Sequence, residues 1–117
     1  MSKGLTIFVW TLQVLIGGLF LFSGVSKLIG VPEMVNFFAQ VGSGQWLRYV
    51  FGVLEVGSAV ALFFPRQVFY GALVLSVSLV GHIVIHQEVL HRPASFLVLL
   101  LAATSLIAYL RRPLAKT

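Results

Sequence analysis

The chain contains no cysteine and no aspartate. Without thiols it cannot hold a cysteine-ligated cofactor such as an iron–sulfur cluster, close a disulfide or run a thiol relay. Any redox chemistry must therefore belong to another bound cofactor or to a partner. Charge is scarce as well. Only 9% of the 117 residues are charged, against about a quarter in soluble domains. So few charges cannot cover a water-facing surface, which excludes an ordinary soluble domain. Negative charge is the scarcer sign: three glutamates stand against eight lysines and arginines, for a net charge of +5. The basic residues sit singly at the ends of apolar runs, and only Arg111, Arg112 and Lys116 cluster. Backbone contacts to nucleic acid need a basic stripe, so this distribution excludes a nucleic-acid partner and fits orientation in a membrane.

What the chain has in abundance is apolar sequence. Hydrophobic residues make up 59% of it, and the mean hydropathy is +1.03. Residues 5–29, 46–64, 68–86 and 94–110 form four apolar runs. A helix needs about 17–25 such residues to cross a hydrocarbon core, so each run is expected to span. The first is too long for a signal peptide's apolar region and no small-x-small cleavage pattern follows it, so it is read as a retained span. Gly30 and Pro32 end the first run and Pro65 the second, while Pro93 stands where a first helical residue belongs. The short connections at 65–67 and 87–93 make neighbours antiparallel. The expected fold is all-α: an integral membrane four-helix up-down bundle in a single domain, residues 1–117.

Charge bias sets the expected orientation. With the N-terminus inside, that side receives Lys3, Arg66, Arg111, Arg112 and Lys116, and the outer side receives Lys27, Arg48 and Arg92. The positive-inside rule then places both termini in the cytoplasm and the chain in the plasma (inner) membrane. The connection from residue 30 to 45 carries its own pattern. Met34, Phe37, Phe38 and Val41 fall at i, i+3, i+4 and i+7, opposite Glu33, Asn36 and Gln40, before Gly42-Ser43-Gly44 breaks the run. This predicts a short amphipathic helix at residues 32–41 on the outer interface. It acts either as a headgroup anchor or as a lid over a cavity.

Ionisable residues inside the spans are the informative ones, because a charge at a helix centre costs about 2.5–3.5 kcal/mol. Glu55 lies at the midpoint of the second run, His82 in the outer half of the third with His86 one turn on, and Lys27 in the last turn of the first. Gln13, Gly17, Phe20, Gly24 and Lys27 share one helical face. Gly52, Glu55 and Ala59 share another, and Gly71, Ser78, His82 and His86 a third. Small residues mark where membrane helices touch, so these polar groups are expected to point into the bundle. Helical side chains lean toward their own N-terminus, and in this topology the leans of Lys27, Glu55 and His82 converge in the outer half. Such a cluster can fix helix register without chemistry, or bind a small molecule and handle protons. His82 and His86 are spaced as chelating pairs are. A third ligand would have to be Glu55 or His91, and no metal is expected.

Phe22-Ser23-Gly24-Val25-Ser26-Lys27-Leu28, Gly52-Val53-Leu54-Glu55 and Gly81-His82, in this order and spacing, resemble the DoxX-like family of small four-helix membrane proteins. The resemblance implies Lys27 and Glu55 as family-pattern residues, with His82 beside them. It also implies a place near redox metabolism, since founding members resemble a small subunit of a thiosulfate:quinone oxidoreductase. The expected function is a membrane subunit holding a quinone-like or other amphipathic small molecule in an outer-half pocket. Lys27 would be the hydrogen-bond or charge partner, Glu55 the proton acceptor and His82 the relay, with Ser23, Ser26, Phe37, Phe38, Ser78 and His86 lining the ligand. Expected partners are the lipid bilayer, that small molecule, a membrane or peripheral redox protein, and a second copy in a homo-oligomer. The alternatives are a non-catalytic scaffold or assembly factor, and a small-molecule or proton transporter.

Overall fold

Ser2 opens the first helix. Its hydroxyl accepts the Leu5 N–H at 3.1 Å, which starts α1 (Lys3–Ile29) two residues before the apolar run begins. At the other end Gly30 takes the left-handed conformation, φ 75°. The N–H groups of Gly30 and Val31 both donate to the Ser26 carbonyl, a Schellman closure that only a residue without a Cβ adopts cheaply. The computed structural model describes residues 1–113 and is all-helical, with no strand among the described residues. Lys116, counted above among the inner charges, lies outside them.

Pro32 at the start of α2 (Pro32–Val41) supplies a pre-set φ where no N–H is needed, and Gly42 ends the helix at φ 83°. Helix α3 (Trp46–Ala61) stops three residues short of the end of its apolar run. Pro65 disfavours helical backbone in the residue before it. The last turn accordingly tightens to i→i+3 bonds from Phe63 to Val60 and from Phe64 to Ala61. Helix α4 (Val68–Val84) continues beyond its expected end as a π-helical turn, Ile85–Val89. His91 then adopts φ 53° and the Arg92 N–H reaches back to the His86 carbonyl. That loop consumes Pro93, which therefore does not open the next helix as its position suggested; α5 spans Ser95–Leu110.

Helix α1 packs along α3, α3 along α4 and α4 along α5, with α1 and α5 also touching; α2 lies against α1 and α3. The α1–α3 seam is a close approach. A Cβ on Gly24 would stand 2.7 Å from Val56 Cγ2 and 3.0 Å from the Gly52 carbonyl. Two glycines facing each other let the backbones come this close. The larger core gathers Val9, Ile16, Leu62, Leu75, Leu79 and Ile107. A smaller one joins Phe38, Phe51 and Ile85 beneath α2.

Beside these apolar cores the interior also holds polar groups, while many large apolar side chains lie outside. Gln13, Glu55 and Thr104 are fully buried, and Lys27, Arg48, Ser78 and His82 nearly so. Phe22, Val77, Ile29, Leu15 and Leu99 are among the exposed large side chains. An apolar exterior around a polar interior is what hydrocarbon solvent selects. Two helices, Lys3–Ile29 and Val68–Val89, are long and apolar enough to cross a membrane, and Ser95–Leu110 is a shorter apolar helix.

Candidate functional site

Three helices deliver one polar cluster. Ser23 and Lys27 are one turn apart on α1, so both side chains face Glu55 on α3. The Lys27 ammonium donates to Glu55 Oε1 at 3.0 Å and to Ser23 Oγ at 2.7 Å. The Ser23 hydroxyl in turn donates to the same Oε1 at 2.7 Å. The Gly24–Gly52 contact lies between the two halves of this arrangement, and a larger residue at either position would push Lys27 away from Glu55. An ammonium has three protons to donate, and two are used here.

The second carboxylate oxygen is placed differently. Glu55 Oε2 is fully buried and has no hydrogen-bond partner among the described residues. It faces His82 Nε2 at 3.4 Å, within ion-pairing distance but longer than a formed N–H···O bond. The other ring nitrogen explains this. His82 Nδ1 lies 2.8 Å from the Ser78 carbonyl, and a carbonyl only accepts, so Nδ1 carries the proton. In neutral His82, Nε2 is then a lone pair pointing at a carboxylate. Two acceptors face one another across a gap that one proton would join.

Beside this gap lies a cavity of about 220 Å³ bordered by Lys27, Met34, Phe37, His82 and His86. Helix α2 covers it. Of the other residues expected to line a ligand, His86 rests its Nδ1 on the His82 carbonyl at 2.9 Å and its ring against Phe37, 5.3 Å between centroids. Phe38 does not line the cavity. It is fully buried against Phe51 and Ile85, because the next position on α2 points into the bundle. Ser26 is buried, but no hydrogen bond joins its side chain to the cluster; its carbonyl closes α1. Ser78 is buried with its hydroxyl unpartnered among the described residues, and contributes to the cluster through its carbonyl.

Arg48 escaped the sequence reading, which took it for an outer charge. It is buried, donates to the Lys27 carbonyl and to Gln45 Oε1, and lies over the Tyr49 ring. Gln45 Nε2 donates onward to the Val35 carbonyl at 3.1 Å, so Arg48 ties the end of α1 to the base of α2. The available signal was its spacing. Arg48, Gly52 and Glu55 recur at i, i+4 and i+7, on one face. A second polar contact lies far along the chain, where Gln13 donates to the Leu62 carbonyl and accepts from Arg111.

Comparison with known proteins adds the lineage. The model of the DoxX-like family matches residues 11–108, a stretch that includes Ser23, Lys27, Arg48, Glu55, Ser78 and His82. The chain is 27% identical over 84 residues to the Bacillus subtilis (strain 168) protein named "Putative oxidoreductase CatD". That alignment covers 72% of this chain and 63% of CatD, so the chain spans less than two thirds of its relative's length. No solved structure matches it. With its all-helical fold, its apolar exterior and a match that runs from the first helix to the last, the chain belongs to the DoxX-like family, a membrane-associated family.

Proposed function

We propose that the protein is a multi-pass membrane subunit of redox metabolism that holds a quinone-like or other amphipathic small molecule beneath α2. In this reading α1, α3, α4 and α5 each cross the bilayer in up-down order, the cluster lies in the outer half, and both termini are cytoplasmic. The observation that carries it is the unpartnered Glu55 Oε2 facing His82 Nε2 beside the cavity. A ligand hydroxyl donating to Glu55 Oε2 gives that buried acceptor its missing partner, and the third proton of the Lys27 ammonium is available to a ligand carbonyl. A hydroquinone ring, with oxygens that alternate between hydroxyl and carbonyl, meets both demands. The cavity is smaller than the roughly 300–1,000 Å³ of typical ligand sites, which suits a single ring. The oxidoreductase name of CatD agrees with this reading.

The chemistry follows from the contacts. When a bound hydroquinone gives two electrons to a partner redox protein, it releases two protons and becomes the quinone. Glu55 accepts the first, His82 takes it on through Nε2, and Glu55 is then free for the second. Lys27 holds the ring oxygen and keeps Glu55 ionised between transfers. The partner supplies the electron acceptor, since no thiol in this chain can carry one.

The complete burial of Glu55 favours a second reading, a scaffold in which the ion pair only sets helix register. Mass spectrometry of lipids extracted from protein purified in native lipid discs separates the two. The ligand reading expects about one quinone-like molecule per protein, lost in His82→Leu. Extracts that do not differ between wild type and His82→Leu would leave the scaffold reading standing.

A further inference from the structure

The cavity under α2 accommodates a ring but leaves no room for the apolar tail that makes a molecule amphipathic. A second concavity lies directly behind the cluster. It measures about 300 Å³, sits between α3 and α4, and is walled by Phe51, Leu54, Leu73, Val74, Val77 and Ser78. Its outer rim is open, with Val77 73% and Leu73 42% exposed. Its inner wall touches the polar cluster through two residues. The Phe51 ring stacks on His82 with centroids 4.3 Å apart, and Ser78 holds His82 Nδ1 through its carbonyl.

Two details set this groove apart from an ordinary lipid-facing seam. The Ser78 hydroxyl on its wall is buried and has no partner among the described residues, although a helical serine commonly satisfies itself on a carbonyl one turn back. Phe51 itself is packed against a glycine: a Cβ at Gly81 would stand 3.3 Å from its ring. Glycine at that point leaves the ring a margin of space, where alanine would press on it.

We propose that this α3–α4 groove is the lateral entrance from the bilayer to the polar cluster, and that it holds the apolar tail of the ligand whose ring occupies the cavity under α2. This rests on the reading of the cluster as a ligand site. Phe51 on the groove side and His82 on the cavity side, their rings 4.3 Å apart, stand between the two compartments. Ser78 already stands on the groove wall, and turning the Phe51 ring aside opens the way to the Glu55–His82 gap, so a ring entering from lipid meets the serine first and the carboxylate next. A lipid-soluble substrate thereby reaches a buried carboxylate without crossing water.

The test uses the full chain in lipid nanodiscs and a benzoquinone ring carrying a decyl tail with a photoreactive diazirine midway along the tail. A decyl chain bearing the same diazirine but no ring serves as the control. Crosslinks are mapped by mass spectrometry. The proposal expects ring-dependent labelling of Leu54, Leu73 and Val77 about tenfold above lipid-facing positions elsewhere, such as Val14 and Leu99, one decade of occupancy. Val77→Trp fills the groove from its exposed rim and should abolish that enrichment. Leu73→Trp, on the neighbouring turn, should do the same if the first variant folds poorly. Ring-dependent labelling concentrated on another face would overturn the entrance while leaving the ligand site intact. Labelling no different from that of the ringless chain would overturn the ligand site and the entrance together.

Discussion

Glu55 carries two unequal oxygens. Oε1 is saturated by Lys27 and Ser23, whereas Oε2 has only the distant His82 ring nitrogen. Substitutions should reflect that asymmetry. Glu55→Gln keeps an acceptor for Lys27 and Ser23 and adds an N–H that can donate to His82 Nε2. Glu55→Leu strands the ammonium, and removing one member of a buried pair costs about 3–5 kcal/mol. Thermal unfolding in detergent should therefore rank wild type and Gln together, well above Leu. Equal stability of Leu and wild type would mean that Glu55 has no energetically meaningful partner. Function should divide differently. The amide cannot accept a proton and its N–H replaces the open Oε2 acceptor, so Glu55→Gln is expected to keep its stability while losing co-purified ligand and turnover with a redox partner.

Among the elements, α2 is the one whose two aromatic neighbours have separate tasks. Phe38 is fully buried in the small core with Phe51 and Ile85, so Phe38→Ala should lower stability by about 3–5 kcal/mol, as large core deletions do. Phe37 lines the cavity and rests on His86. Phe37→Leu keeps most of the apolar area but not the flat face, and stacking is worth about 0.5–1.5 kcal/mol beyond burial. The expected result is unchanged melting with up to about tenfold less co-purified ligand. Unchanged retention would reduce α2 to an anchor. The α1–α3 seam gives a matched pair of glycine substitutions. Gly24→Ala must displace Val56, and overpacking of this kind costs about 1–3 kcal/mol. Gly18→Ala meets nothing within 4 Å and should be neutral or stabilising, since alanine favours helix by about 1 kcal/mol. Thermal melts of the two variants should move in opposite directions.

For the whole molecule, the distribution of polarity decides the solvent. Exposed Phe22, Ile29 and Val77 around buried Lys27, Glu55 and His82 would aggregate in water. The short helices α3 and α5, 16 residues each, cover about 24 Å at 1.5 Å per residue. In the proposed topology their flanking turns complete the crossing of a core about 30 Å thick. The proposed topology of four crossings, with the positive bias at Lys3, Arg66, Arg111 and Arg112, predicts that reporters fused at either end are both active in the cytoplasm. A reporter pair active on opposite sides would require an odd number of spans.

Composition by itself determined the class of this protein. Nine charged residues in a hundred are too few to cover a water-facing surface, and the motifs around Lys27, Glu55 and His82 were sufficient to indicate the DoxX-like family. Helical periodicity also separated the glycine-bearing faces from the lipid-facing ones, because 3.6 residues per turn is a local property. Distances between helices are not local. That Ser23 joins the ion pair while Ser26 closes a helix end depends on how α1 is rotated against α3, which the Gly24–Gly52 contact decides. That Phe38 enters the core and Phe37 the cavity depends on where α2 comes to rest, held there by the chain from Arg48 through Gln45 to Val35. The π-helical extension of α4 closes on the Leu90 N–H bond to the Ile85 carbonyl, and the Arg92 N–H on the His86 carbonyl draws the following loop, with Pro93, away from the start of α5. Residue spacing records which side chains share a helix face; only packing decides which faces meet, because contact between helices is set by the summed shape of both partners.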